Sequence, residues 1–169
     1  FLTALLSKEI GKPVKYTQTR SECLVAMLHG RAQEHDATVA FDNDGRILAL
    51  KLTVTQDQGA YPNGTGMGLP VLTTAMAAGC YRIPAVAISW RNVVTNTTPV
   101  AAYRGAGRPE ASFTIERLID LIADETGVDP VEVRRRNFIP VDAFPYATHS
   151  PLAMYDSGNF AGALDELLK

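Results

Sequence analysis

Gly105 and Gly107 stand one residue apart between Arg104 and Arg108, in the run Ala102-Tyr103-Arg104-Gly105-Ala106-Gly107-Arg108-Pro109-Glu110. Glycines at this spacing let the backbone take positive φ and let another group approach closely. Pro109 suits the first turn of a helix, where its missing N–H costs nothing. Glu110 suits the same turn through the helix dipole. A glycine bend feeding a helix start between two guanidinium groups is a ready anion site, because free N–H donors converge there with positive charge. The same residues also make an ordinary tight turn before a helix, and the local sequence leaves both readings open.

No other cluster offers self-sufficient chemistry. Gly64, Gly66 and Gly68 alternate in a second glycine-rich stretch, but no Lys-Ser/Thr follows as a phosphate-binding loop requires. His29, His35 and His149 are scattered, with packing or surface roles expected, and His35 between Glu34 and Asp36 reads as exposed. No Cys or His spacing suggests a structural metal. Asp57 is an acid or base candidate, but a turn carboxylate accepting the Gly59 N–H is the expected role. Arg134, Arg135 and Arg136 fall late in a helical stretch, where positive charge suits the dipole. No catalytic residue and no metal ligand is assigned.

The elements that must position the loop follow from periodicity. Leu2, Leu5, Leu6 and Ile10 have helical spacing, and Gly11 ends that helix. A short strand is expected over Val14 to Thr19, then a helical piece opened by Ser21 and closed by Gly30. Residues 37–41 and 46–55 read as a β-hairpin around Asp42-Asn43-Asp44-Gly45, with Leu48, Leu50, Leu52 and Val54 on one face. A helix is expected over Leu69 to Ala78, and a strand over Ala85 to Thr95 with Val86, Ile88, Trp90 and Val94 together. The helix after the loop carries Ala111, Ile115, Leu118, Ile119 and Ile122 on one side. Phe113 and Leu121 lie off that stripe, so cover on more than one face is expected. Asp129-Pro130-Val131-Glu132 combines N-cap, N1 proline and N3 glutamate. Residues 137–151 read as loop, and Asp156 or Ser157 caps a last helix with Phe160, Ala163, Leu164, Leu167 and Leu168. The whole is an α+β fold, a mixed β-sheet with packed helices, with a lobe division expected near 56–68.

A net charge of −2 gives no electrostatic case for nucleic acid or an anionic membrane, and no apolar run reaches bilayer-spanning length. Cys23 and Cys80 read as free thiols of a reducing compartment, with a disulfide left open. The chain starts at Phe1 and stops at Lys169 within helical patterns, so a segment of a longer polypeptide is expected. Its ends are expected to expose apolar surface and to favour dimerisation in isolation.

The glycine run, with Glu116-Arg117 and the stretch Gly127-Val128-Asp129-Pro130-Val131-Glu132-Val133-Arg134-Arg135-Arg136-Asn137-Phe138-Ile139-Pro140, closely resembles the large subunit of molybdenum hydroxylases. These are the xanthine dehydrogenase, aldehyde oxidase and carbon monoxide dehydrogenase proteins. Lys12-Pro13-Val14-Lys15, Arg20-Ser21-Glu22, His29-Gly30-Arg31, the segment 57–61, Tyr81-Arg82-Ile83-Pro84 and Asn96-Thr97-Thr98-Pro99 fit as well. The resemblance covers nearly the whole chain and implies part of a molybdopterin-binding region. It implies cofactor contact at Tyr103, Arg104, Gly105, Ala106 and Gly107, led by the backbone at Arg104. It implies a substrate pocket at Ala106, where xanthine dehydrogenases have an aromatic, and at Leu72, near where they have an arginine. Both departures argue against xanthine. Carbon monoxide dehydrogenases carry a copper-bearing cysteine where this chain has Gly105, so the pattern resembles their second form, with aldehydes or N-heterocycles among its substrates. The resemblance further implies a molybdenum–molybdopterin cofactor in its cytosine dinucleotide form, FAD and 2Fe–2S centres on partner domains or subunits, a small-molecule substrate, water as the oxygen source and a cytoplasmic location. The family's glutamate base and Gly-rich Phe motif lie outside these residues, so the isolated chain is expected to be inactive. The alternatives are a free-standing module for an anionic small molecule and a structural interaction domain.

Overall fold

Asp42 takes the hydrogen bonds that fold the chain back on itself. Its Oδ1 accepts from the Asp44 and Arg46 amides, and Gly45 adopts φ 76°. In the computed structural model, which describes residues 1–169, this turn joins β1 (Gln33–Phe41) to β2 (Ile47–Asp57) as an antiparallel pair. β3 (Ala85–Val93) adds parallel to the other edge of β2, giving a mixed sheet in the order β1-β2-β3. The helices are α1 (Leu2–Ile10), α2 (Arg20–Ala26), α3 (Gly64–Met67), α4 (Leu69–Ala75), α5 (Arg108–Thr126), α6 (Pro130–Asn137) and α7 (Phe160–Leu167). A short hairpin, β4 (Tyr146–Ala147) with β5 (Met154–Tyr155), lies between α6 and α7. The α+β class and mixed sheet are as expected.

One face of the sheet carries the core. Leu50, Leu52 and Val54 of β2 point inward with Ala37 and Val39 of β1, and α4 and α5 pack against the sheet. Ile115, Leu118, Ile119, Ile122 and Ala123 of α5 meet Ile47, Leu50, Tyr81, Ile83 and Val133 in the main cluster. Phe113 and Leu121 are exposed, so α5 is covered along its stripe and not on further faces. Leu48 also departs from expectation. The strand register shifts between Ala40 and Phe41, so Ile47 enters the core and Leu48 faces out. Trp90 shares the inward face by register with Val54 but remains partly exposed, and Val94 lies past the strand end.

Three local expectations are corrected. Residues 14–19 form no strand, since no neighbour offers them a ladder. Thr19, not Ser21, caps α2, in a reciprocal capping box with Glu22, and α2 ends at Ala26 before Gly30 is reached. Asn159, rather than Asp156 or Ser157, caps α7 by accepting the Gly162 amide. The α6 start is as read: Asp129 accepts from the Val131 and Glu132 amides, with Pro130 in the first turn.

The arginine run ties elements together. Arg134 donates to Glu116 and Asp120 of α5 at 2.9 Å each, and Glu116 also accepts the Tyr81 hydroxyl at 2.7 Å. Arg135 pairs with Asp165 of α7, and Arg136 donates to the Asp44 carbonyl. Both cysteines are free thiols. Burial pushes the Cys80 thiol up to about 11, with the Glu116 charge adding to the shift, so it stays protonated at neutral pH. No helix is long and apolar enough to cross a membrane.

Candidate functional site

The glycine loop is seated between the chain entering from α2, the first turn of α5, and α4. His29 donates its amide to the Pro99 carbonyl, and the Ala101 amide donates to the His29 carbonyl, so residues 29 and 100 run side by side. A Cβ at Gly30 would stand 2.6 Å from the Tyr103 Cβ, so only glycine lets the two strands close here. The bend itself takes positive φ at Gly105 (93°), Ala106 (45°) and Gly107 (90°). An alanine in that region is strained, and its neighbours hold it there. Gly107 is buried on α4: a Cβ would meet the Thr73 nitrogen at 2.7 Å and the Leu69 oxygen at 2.8 Å.

Two of the loop amides are used within the bend. Ala106 N–H donates to the Tyr103 carbonyl at 2.8 Å and Arg108 N–H to the Gly105 carbonyl at 3.2 Å. The amides of Arg104 and Gly105 donate to no group in the chain, and both residues are exposed. Together with the exposed Tyr103 amide, which also donates to no group in the chain, they leave a run of free donors at the entry of the bend, while Gly107 is tucked beneath. Arg104's side chain makes no ion pair, and Arg108 reaches back to the Gly105 carbonyl at 3.3 Å. Leu72 sits half-buried on α4, next to the Thr73 that Gly107 rests on, which puts the two proposed pocket residues on adjoining elements.

Arg31 is the main residue that sequence reasoning passed over. Its guanidinium bonds the Arg104 carbonyl at 2.9 Å and both Glu110 carboxylate oxygens at 3.2 and 3.3 Å, and lies 5.3 Å from the Tyr103 ring centroid. The only signal for it was its place in His29-Gly30-Arg31. Beneath it runs a polar network at the sheet end. Gln56 Nε2 faces the carbonyls of Arg31, Ala32 and Asp57, while Gln56 Oε1 accepts from Gln33 Nε2 at 2.7 Å. Gln33 Oε1 accepts from Thr73 Oγ1 and faces His35 Nε2 at 2.8 Å. Because that oxygen can only accept, the His35 nitrogen facing it, Nε2, carries a proton. Nδ1 faces the Thr114 hydroxyl, which itself donates to the Glu110 carbonyl at 3.1 Å. Burial pushes the His35 imidazole below its ordinary range, and the Glu110 charge opposes this. His35 is half-buried in a cleft of about 490 Å³ with Arg31, Glu110 and Phe113, and not exposed as its neighbours in sequence suggested.

Asp57 has the structural role read from sequence. Its carboxylate accepts the Gly59 amide at 2.8 Å and the hydroxyls of Thr95 and Thr97 at 2.8 and 3.1 Å. The Gly59 hydrogen bond leads in holding its carboxyl below the usual carboxylate range. Since the folded-state value lies below that of the unfolded chain, about 3.9, this stabilisation is complete above about pH 5 and lost as pH falls through the folded value. Urea midpoints at pH 7 and pH 3.5 should therefore differ less in Asp57→Asn than in the unaltered protein.

The fold is an α+β unit in which a glycine bend with free, exposed amides opens onto a helix start. The family model described as "Molybdopterin cofactor-binding domain" matches residues 1–138, and the chain belongs to that family. It is 34% identical over 173 residues to 6-hydroxypseudooxynicotine dehydrogenase complex subunit gamma of Paenarthrobacter nicotinovorans, covering 99% of this chain and 22% of that protein. It is 35% identical over 162 residues to the carbon monoxide dehydrogenase large chain of Hydrogenophaga pseudoflava, covering 94% and 20% respectively. Among solved structures, quinoline 2-oxidoreductase from Pseudomonas putida 86 superposes with a TM-score of 0.86 at 33% identity, over 98% of this chain and 21% of that one. The Cu,Mo carbon monoxide dehydrogenase gives 0.81 at 31% identity, over 99% and 21%. The chain thus spans about a fifth of the length of the curated relatives it matches.

Proposed function

We propose that this chain is the segment of a molybdenum hydroxylase large subunit that receives the anionic part of the molybdenum–molybdopterin cofactor on the Arg104–Gly107 loop. The observation that carries this is the pair of exposed amides at Arg104 and Gly105, free of acceptors in the chain and beside a helix start. The donor set fits the group, because phosphate and oxo oxygens accept what peptide N–H groups give. When bound, the cofactor supplies the oxygen-transfer and electron-accepting chemistry of hydroxylation. The chain's own residues bind and orient it: Tyr103 and Arg104 at the entry of the bend, Gly105 through its amide, Ala106 and Gly107 through the shape of the turn.

The substrate class is an uncharged aldehyde or N-heterocycle, with water as the oxygen source. Ala106 leaves room beside the loop, and Leu72 offers apolar surface without a counter-charge. A relative named nicotine 6-hydroxylase large subunit and a neighbour named quinoline 2-oxidoreductase support the heterocycle reading. Gly105 supplies no thiol for copper, which disfavours carbon monoxide. The cytosine dinucleotide form of the cofactor, FAD and 2Fe–2S centres on partner subunits, a cytoplasmic location, and inactivity of the 169 residues alone complete the proposal.

The test is made on the full-length polypeptide. Purified protein should hold molybdenum and pterin near one per chain and should reduce a dye with quinoline or nicotine as donor. Gly105→Val, whose Cβ would lie 2.5 Å from the Pro109 ring, should lose both contents. Full-length protein devoid of metal and pterin would end the proposal.

A further inference from the structure

The directions of the Arg104 and Gly105 amides are set differently, one by the turn itself and one by a group outside the loop. Carbonyl and N–H of one trans peptide point in opposite directions. The Tyr103 carbonyl is held inward by the Ala106 amide, so the Arg104 N–H of the same peptide points out. The Arg104 carbonyl is held by Arg31 Nη2 at 2.9 Å, so the Gly105 N–H of that peptide points away from Arg31. The first constraint belongs to the turn. The second depends on one side chain from a segment 73 positions earlier.

That side chain is itself fixed. Glu110, with 8% of its side chain exposed, takes Nη1 between its two oxygens. The Tyr103 ring lies against the guanidinium at 5.3 Å. The Arg31 and Ala32 backbone takes φ 71° and 57°, uncommon for these residue types, and Gln56 Nε2 bonds both of their carbonyls. Arg31 thus joins the entry of the bend, at Tyr103 and Arg104, to its exit at Glu110.

We infer that Arg31 is a positioning residue of the cofactor loop: by holding the Arg104 carbonyl it aims the Gly105 amide at the bound anion. This rests on the reading that the loop holds the cofactor. A planar fork serves carbonyl and carboxylate at once, and the compact ammonium of lysine does not. The experiment uses full-length protein with Arg31→Met and Arg31→Lys, reading molybdenum and pterin content and the Mo(V) electron paramagnetic resonance spectrum of the loaded fraction. Loss of such a supporting contact typically costs about tenfold or more in affinity. Both variants should lose occupancy by about that factor on cofactor-limited loading, and the remaining signal should shift. Arg31→Lys keeps a cation beside Glu110, so it decides the matter if Arg31→Met does not fold. An Arg31→Lys protein with full occupancy and an unchanged spectrum overturns this inference alone. Unaltered protein without metal or pterin overturns the loop reading beneath it.

Discussion

Gly107→Ala should lower stability by about 2–5 kcal/mol, centred on about 3, and strip the cofactor from the protein. Two costs add. At φ 90° an L side chain costs about 1–2 kcal/mol. The new Cβ also meets the Thr73 nitrogen at 2.7 Å, the Leu69 oxygen at 2.8 Å and Thr73 Oγ1 at 2.8 Å. Two of these atoms are helix backbone, which cannot swing aside, so the loop must lift from α4 at a further cost of about 1–3 kcal/mol. A loss of that size corresponds to a fall of roughly 6–12 °C in the thermal midpoint of a domain this large. Gly127→Ala is the control. Its φ is 70° and nothing lies within 4 Å of its Cβ, so it should show the dihedral cost alone. Equal midpoints for the two variants would mean that the loop does not rest on α4 as described. Because the lifted loop no longer holds the bend, cofactor content should fall in Gly107→Ala and not in Gly127→Ala.

The features legible in the sequence were those whose causes are local. Asp42-Asn43-Asp44-Gly45 makes its own hydrogen bonds, so the hairpin followed from the residues alone. Asp129, Pro130 and Glu132 announced α6 for the same reason, and the stripe from Ala111 to Ile122 announced the buried face of α5. What escaped depends on partners far along the chain. Residues 14–19 read as a short strand, but a strand needs a neighbour, and none comes there. The parallel pairing of β3 on β2 is a fact of topology that alternation does not encode. The shift between Ala40 and Phe41 exchanged Ile47 for Leu48 in the core, which no count of apolar positions reveals. At the site, the glycine bend was legible because it needs positive φ, and its family resemblance supplied the chemistry. Arg31 was not legible as a clamp, since the groups it holds lie 73 and 79 residues away. Gln33 and Gln56 left a usable trace: polar residues at inward positions of otherwise apolar strands mark the end of the sheet where the site sits.

Asn137 shows the same distance effect and carries the second large expected result. In sequence it reads as the first residue of a loop, yet it ends α6 and is 3% exposed. Its Oδ1 accepts the Ile47 amide at 2.8 Å, and its Nδ2 donates to the carbonyls of Gly45 and Val133 at 2.8 Å each. It thereby ties α6 to the start of the central strand, at the point where the register shift brings Ile47 inward. Asn137→Ala leaves the Ile47 amide and the Gly45 carbonyl without partners in a dry site, at about 1–3 kcal/mol each, so a total loss of about 2–6 kcal/mol is expected from urea denaturation. Asn137→Asp gives the sharper test. It keeps the acceptor for Ile47 but turns a second oxygen toward two carbonyls. Repulsion and burial then favour the protonated acid, so the folded-state value is raised above the unfolded one, about 3.9. A raised value means that the folded state binds more protons, and stability is gained as pH falls through it. Asn137→Asp should therefore be nearer to the unaltered protein at pH 5 than at pH 8, while Asn137→Ala shows no such recovery. A pH-independent gap for the aspartate variant would mean that the site is wet and that Asn137 is not the buried tie between α6 and β2.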